Sequence, residues 1–174
     1  MSLETQIRNW DQKSVKAIMD IHTTHVAEAD LMDQLLLLAG ETDLETGATW
    51  LIKHQLENKL TRIDHAQTLK LTHLFPELSG WEARLHCLQI FPFIDLPREG
   101  AELILQFVLA CSQDDNKFVR AWAYTGLHQL ALAHPDHRNQ ARVVLKAAQQ
   151  NESAASVRVR LRRALKQGLP DGEI

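Results

Sequence analysis

The stretch FVRAWAYTGLHQLA, residues 118–131, carries small and apolar side chains at intervals of three and four residues. In a helix of about 3.6 residues per turn, such intervals place one set of residues on a single face. These residues are Val119, Ala123, Gly126, Leu127 and Leu130. Thirty-eight positions later, SVRVRLRRALK (156–166) begins the same pattern again. The chain therefore contains a repeated amphipathic helix.

The repeat extends upstream to WEARLHCLQI, residues 81–90. A shift of thirty-eight residues superposes Trp81 on Val119 and Leu85 on Ala123, so we expect both to face the core. The segments before the three helices, at 71–80, 109–118 and 147–156, each lead from a helix end into a polar link. One unit is therefore a helix, a short loop and a second helix.

A further helical pair is predicted at residues 26–41 and 43–60. Its register is open: aligning Leu51 with Leu85 places His54 and Gln55 on the core stripe, whereas a shift of one residue selects another set. That set is Ala48, Ile52 and Leu56. Residues 5–21 are predicted to form one capping helix, since terminal repeats are usually atypical. The few prolines and glycines fall mostly between helical segments, which predicts an all-α protein.

The sequence DDNKFVRAWAYTGLHQLA (114–131) resembles a HEAT repeat, with acidic residues before the second helix, then Val-Arg, a small residue and leucines. NESAASVRVRLRRAL (151–165) is similar, and the resemblance covers roughly residues 26–167. It implies one domain over residues 1–174, an α-α superhelix of about four HEAT-like hairpins with an N-terminal capping helix. Such a solenoid has a concave surface lined by its second helices.

Composition excludes several classes of protein. The 174 residues are 45% hydrophobic and 24% charged, which is typical of a folded domain. The N-terminal segment has no apolar stretch of the kind found in secretory signals, and no run approaches the ~20 apolar residues that span a bilayer. Cys87 and Cys111 lack the spacing of a disulfide framework and are expected to be small buried hydrophobes. We expect a cytoplasmic protein without membrane partners.

Charge is distributed unevenly along the chain. Residues 1–137 carry a net charge of −8, residues 138–167 carry +7, and the last seven residues carry −2. The basic side chains of the final helix favour an anionic partner: an acidic protein segment, nucleic acid, or the acidic part of a second copy. A solvated end cap explains the same charges. The cluster consists of Arg158, Arg160, Arg162, Arg163 and Lys166.

Positions beside the core stripe of the second helices are candidates for partner binding on the concave face. Arg84, Trp122 and Arg160 share one such position in the thirty-eight-residue alignment, and Arg120 and Tyr124 occupy neighbouring positions. Exposed large aromatic residues are typical interface anchors. Two alternatives remain: Arg120 pairs with an acidic residue of the preceding turn, and each Trp wedges between helices.

No catalytic, metal or cofactor site is predicted. The pairs His22 and His25, and His134 and His137, lack a further set of ligands in a recognised order. The HEAT-like DNA alkylation-repair glycosylases use a groove carboxylate, yet no carboxylate lies one turn after Trp50, Trp81 or Trp122. We therefore expect a non-catalytic protein-binding adaptor or scaffold. The alternatives are nucleic-acid binding, in relation to those glycosylases, and self-association.

Overall fold

The computed structural model describes residues 1–169, so the acidic Asp171 and Glu173 lie outside the described residues. Ten α-helices connected by turns and short 3-10 helices make up the described part, which contains no β-strand. The prediction of an all-α protein is confirmed. The chain divides into two compact units, Met1–Ile94 and Asp95–Ile174. The single solenoid domain stays a prediction.

Six helices form the first unit. They are α1 (Leu3–Arg8), α2 (Val15–His25), α3 (Leu31–Leu38), α4 (Glu45–Glu57), α5 (His65–Leu74) and α6 (Trp81–Ile90). Helix α3 packs on α4, and the second helices α4 and α6 lie side by side. Helix α5 begins with a capping box, in which the Asp64 carboxylate accepts from the backbone N–H of Gln67 and the Gln67 side chain accepts from that of Asp64.

The N-terminal segment contains two helices, so the prediction of one capping helix over residues 5–21 is wrong. Helix α1 ends before the turn at 9–14, where Gln12 adopts a left-handed conformation with φ of 58°. The Asp11 carboxylate accepts from the backbone N–H groups of Lys13 and Ser14, which fixes this turn. The Ser14 hydroxyl then caps α2 by accepting from the N–H of Ala17.

The register of α6 differs from the thirty-eight-residue alignment. Trp81 is 40% exposed and Leu85 is half-buried, whereas Ala83 and Cys87 are fully buried. The buried stripe of α6 therefore matches that of the later units with a shift of thirty-six residues, from Ala83 to Val119. The expectation that Trp81 and Leu85 face the core is wrong, because α6 is apolar on more than one side and its periodicity selects no single face.

In α4 both predicted registers contribute buried residues, and only His54 of the first register is not buried. Ala48, Ile52 and Leu56 are buried, and His54 is half-buried. Leu51 and Gln55 are buried as well, because α4 is covered by α2, α3 and α6. The side chain of Gln55 is hydrogen-bonded to the ring of His22, which satisfies its polar atoms in this position.

Four helices form the described part of the second unit. They are α7 (Ala101–Cys111), α8 (Lys117–Ala133), α9 (Arg138–Asn151) and α10 (Ala155–Gln167). Asn116 caps α8 by accepting from the N–H of Phe118, and α10 ends at Gly168, whose φ of 66° suits glycine. Helix α8 is the centre of the unit because it packs against α7, α9 and α10.

The thirty-eight-residue shift holds between α8 and α10. Val119 and Val157 are both 0% exposed, and Ala123 and Leu161 are buried at the next equivalent position. The two helices pack against each other. The thirty-eight-residue repeat is thus reproduced in the burial pattern of the second unit.

Two further expectations from the sequence concern the cysteines and membrane-spanning helices. Cys87 and Cys111 are 2% and 1% exposed, as expected for small buried hydrophobes. Among residues 1–169, no helix combines the length and the apolar character needed to cross a bilayer.

Candidate functional site

Tyr124 does not lie on an open surface. Its residue is 5% exposed, and its hydroxyl donates over 3.5 Å to the carbonyl oxygen of Ser112. Burial raises the pKa of the Tyr124 phenol. The expectation that this side chain reaches the surface is wrong, because α8 is covered on three sides and the flank that carries Tyr124 is one of those covered.

Arg120 is held by groups of its own unit. Its Nε and Nη2 donate to the two carboxylate oxygens of Glu152 over 3.1 and 3.3 Å, and Nη1 donates to the carbonyl oxygens of Asp114 and Asp115. The Glu152 side chain is 6% exposed. Bonding to Arg120 lowers the pKa of Glu152, and the same bond raises that of Arg120. Arg120 therefore has a structural role as weighed from the sequence, but it contacts Asp114 and Asp115 through their backbone carbonyl oxygens, and its ion-pair partner is Glu152 and not an acidic side chain of the preceding turn.

Arg84, in the first unit, also bonds to the turn before its own helix. Its Nη2 donates to the carbonyl oxygen of Ser79, five residues earlier, just as Arg120 reaches Asp115. With the corrected shift of thirty-six residues, Arg84 is the counterpart of Arg120 and not of Trp122. The structure therefore places these two arginines at the turns before the second helices.

Trp122 and Arg160 are brought into direct contact. The guanidinium carbon of Arg160 lies 3.6 Å from the centroid of the Trp122 ring, and both residues are half-buried. A guanidinium over an indole face is a favourable cation–π arrangement. Burial, and then the nearby charge of Arg163, lower the pKa of Arg160. One face of the Trp122 ring is consequently covered by a cation.

The basic cluster of α10 has no internal counterions in the described part of the chain. Of residues 1–169, no carboxylate forms an ion pair with any of its five cations. The first unit differs: Arg8, Lys16, Lys53 and Lys70 all lie 2.7 to 3.1 Å from a carboxylate oxygen. Arg158, Arg162, Arg163 and Lys166 are exposed, and Arg160 is half-buried. The cluster is a concentrated positive surface on one helix.

Sequence reasoning missed a buried carboxylate that joins two helical pairs of the first unit. Glu45 is 3% exposed and accepts hydrogen bonds from the backbone N–H groups of Ser79 and Gly80 and from the Ser79 hydroxyl. These groups precede α6, so Glu45 caps that helix from α4. The sequence shows only that an acidic residue, Glu45, begins a helix. That position alone does not identify Ser79 and Gly80 as its partners.

A cluster of rings in the first unit was also not predicted. The His54 ring stacks on Trp50 with centroids 5.3 Å apart, and the His22 ring meets His54 edge-on at 4.8 Å. Burial, and then the neighbouring His54, lower the pKa of His22. Burial, and then Lys53, lower the pKa of His54. Trp50, whose exposure the sequence left open, is half-buried.

Of the other histidines considered as ligands, His25 and His134 make side-chain hydrogen bonds, and the His137 ring lies edge-on to that of His134. His25 contacts Glu28 and Gln6, and the Nε2 atom of His134 lies 3.0 Å from the carbonyl oxygen of Leu96. Within the described residues, no three His, Cys, Asp or Glu side chains are grouped so that they could hold a metal ion.

No protein-family model, curated protein or solved structure matches the chain. The HEAT-repeat resemblance therefore stays a prediction from the sequence.

Proposed function

We propose that the chain is a HEAT-like α-solenoid of about four helical pairs that binds, without catalysis, an acidic segment of a partner protein. Support for the solenoid comes from the alternation of first and second helices and from the pairwise packing of second helices, α4 on α6 and α8 on α10. Support for partner binding comes from the surface of α10. The partner is expected to lie on the face of the second helices.

One observation carries the proposed function: the five cations of the basic cluster lack carboxylate partners among residues 1–169. Like charges on one helix repel each other, and pairs at a separation of four residues destabilise it. An acidic segment that binds there relieves the repulsion and releases counterions. Guanidinium groups suit this task because they bind carboxylates through two parallel hydrogen bonds.

The covered ring of Trp122 favours an acidic peptide over nucleic acid. Single-stranded nucleic acid is commonly bound by stacking of its bases on open aromatic faces. Arg160 already occupies one face of Trp122 at 3.6 Å. The acidic balance of residues 1–137, with a net charge of −8, also opposes an extended phosphate-binding groove. Nucleic-acid binding is therefore the alternative outcome of the binding test described next.

The test is fluorescence anisotropy with a decaglutamate peptide that carries a neutral dye, at low and at physiological salt. We expect a Kd below about 10 μM at low salt that rises steeply with added salt. Single-stranded DNA of random sequence serves as the competing probe. Binding of DNA without binding of decaglutamate would replace the proposal by the nucleic-acid alternative, and binding of neither would remove it.

A matched pair of variants shows whether α10 is the surface used. The first replaces the five residues of the basic cluster by Gln, which keeps good helix propensity. The second replaces five exposed cations elsewhere by Gln, so that both variants have the same net charge. These are Lys13, Lys59, Arg62, Lys117 and Lys146. We expect the first variant to lose binding and the second to retain most of it; equal losses would contradict the assignment.

A further inference from the structure

The five cations of the basic cluster lie on two different flanks of α10. Residues three and four positions apart share one side of a helix. Arg160 and Arg163 therefore lie on one flank, and the other flank carries Arg158, Arg162 and Lys166. The core stripe of Val157, Leu161 and Ala164 separates them on the buried side. The two flanks can be compared with the equivalent positions of α8, thirty-eight residues earlier.

The second flank of α10, here called the outer flank, corresponds to covered positions in α8. Arg162 and Lys166 are equivalent to Tyr124 and His128, which are 5% and 2% exposed, and Arg158 is equivalent to Arg120. In α8 the Tyr124 and His128 side chains are buried, and Arg120 is half-buried and bonded to Glu152. In α10 they are exposed, and Arg158 and Arg162 border a surface groove of about 330 Å³. Cations at these exposed positions keep this flank of α10 hydrophilic.

The first flank corresponds to positions that are half-buried in α8 and half-buried or exposed in α10. Arg160 is equivalent to Trp122 and Arg163 to Thr125, and neither α8 residue is buried. We call the surface formed by Trp122, Thr125, Arg160 and Arg163 the Trp122 face. Arg160 has no hydrogen-bonded protein acceptor among residues 1–169, although it is half-buried and its guanidinium carbon lies over the Trp122 ring. Its N–H donors are therefore available to a ligand.

We infer that the acidic segment binds on the Trp122 face, with one carboxylate held by Arg160 and supported by Arg163, while the outer flank remains a solvated surface. This inference rests on the proposed function and assigns its anchor. Trp122 is a positioning residue: its ring contact restricts the Arg160 side chain, so that less side-chain entropy is lost when a carboxylate binds. The cations of the outer flank attract the acidic segment at long range.

Two double variants separate the flanks, because each removes two arginines from the same helix. They are Arg160→Gln with Arg163→Gln, and Arg158→Gln with Arg162→Gln. Their net charges are identical, so a purely electrostatic surface predicts equal losses. With the decaglutamate probe at physiological salt, we expect the first variant to lose about tenfold or more in affinity and the second about twofold.

Trp122 is tested by substitutions that leave the charge unchanged. Trp122→Ala should weaken binding of decaglutamate about as much as Arg160→Gln, while the dependence of log Kd on log salt keeps its slope, since no cation is removed. Trp122→Phe should restore most of the affinity, whereas Arg160→Lys should not, because an ammonium lacks the planar fork. Circular dichroism confirms that each variant remains helical.

The outcomes distinguish failure of the proposed function from failure of the anchor assigned to it. If the wild-type protein fails to bind decaglutamate, the proposed function fails. If it binds and the two double variants lose equally, or the outer-flank variant loses more, the Trp122 face is not the anchor although the basic helix remains the binding element. Unchanged binding by Trp122→Ala would remove the positioning role.

Discussion

Arg160 covers the indole ring of Trp122, with its guanidinium carbon 3.6 Å from the ring centroid. The two residues occupy the same position in successive second helices, thirty-eight residues apart. Their contact therefore joins α8 to α10 outside the buried stripe of Val119 and Val157. It also fixes the direction in which one cation of α10 faces solvent.

The first prediction concerns the strength of this contact. A double-mutant cycle with Trp122→Leu and Arg160→Gln should give a coupling free energy of about 0.5–1 kcal/mol, as expected for a partly exposed cation–π pair. The measurement is urea unfolding of the four proteins. Additive effects of the two substitutions would mean that the ring and the guanidinium do not interact in solution.

Acid should weaken the second unit through Glu152. Because Arg120 lowers the pKa of Glu152 in the folded protein, this carboxylate contributes stability above its ordinary pKa of 4.5. That contribution is lost as the pH falls through the lowered pKa that Glu152 has in the folded protein. We expect Glu152→Gln to reduce the free energy of unfolding by about 2 kcal/mol at neutral pH and to flatten its decline below pH 4.5. Unfolding curves from neutral to acid pH would test this, and an unchanged slope would contradict it.

Glu45 should be more important for stability than its position at the start of α4 indicates. Glu45→Ala leaves the N–H groups of Ser79 and Gly80 without their acceptor, which should cost about 2–3 kcal/mol. The control is Glu57→Ala, which removes an exposed pair with Lys53 and should cost less than about 0.5 kcal/mol. Chemical denaturation measures both, and equal losses would argue against the capping role of Glu45.

His86 should remain neutral well below neutral pH. Its Nδ1 lies 3.1 Å from the hydroxyl of Thr49, and burial lowers its pKa to about 3. The unfolded chain takes up a proton near pH 6.5, so this residue reduces stability as the pH falls from 6.5 towards 3. At pH 5 the effect should be about 2 kcal/mol. An NMR titration should find no protonation of the His86 ring between pH 7 and 5, and a midpoint near 6 would contradict this burial.

The periodicity of the sequence predicted the helices better than their faces. The shift of thirty-eight residues holds from α8 to α10 because both helices have one apolar stripe. It fails at α6, where Trp81 and Leu85 compete with Ala83 and Cys87 for the core. The turn at 9–14 was predictable in principle from Asp11 and Ser14, which are typical turn and capping residues.

The binding residues were harder to predict because exposure depends on what covers a helix. Tyr124 and Trp122 are both aromatic residues beside the core stripe, yet one is buried and the other is half-buried and in contact with Arg160. Likewise, the sequence identified the basic cluster but not its division into two flanks. That division follows only from comparison of α10 with the covered positions of α8.

The most direct test of the account is an NMR titration of isotope-labelled protein with decaglutamate. We expect the largest shifts at the side-chain N–H groups of Trp122 and Arg160, smaller shifts at Arg163 and little change at Arg158. Shifts confined to other helices, or no shifts at concentrations well above the Kd measured by anisotropy, would contradict it.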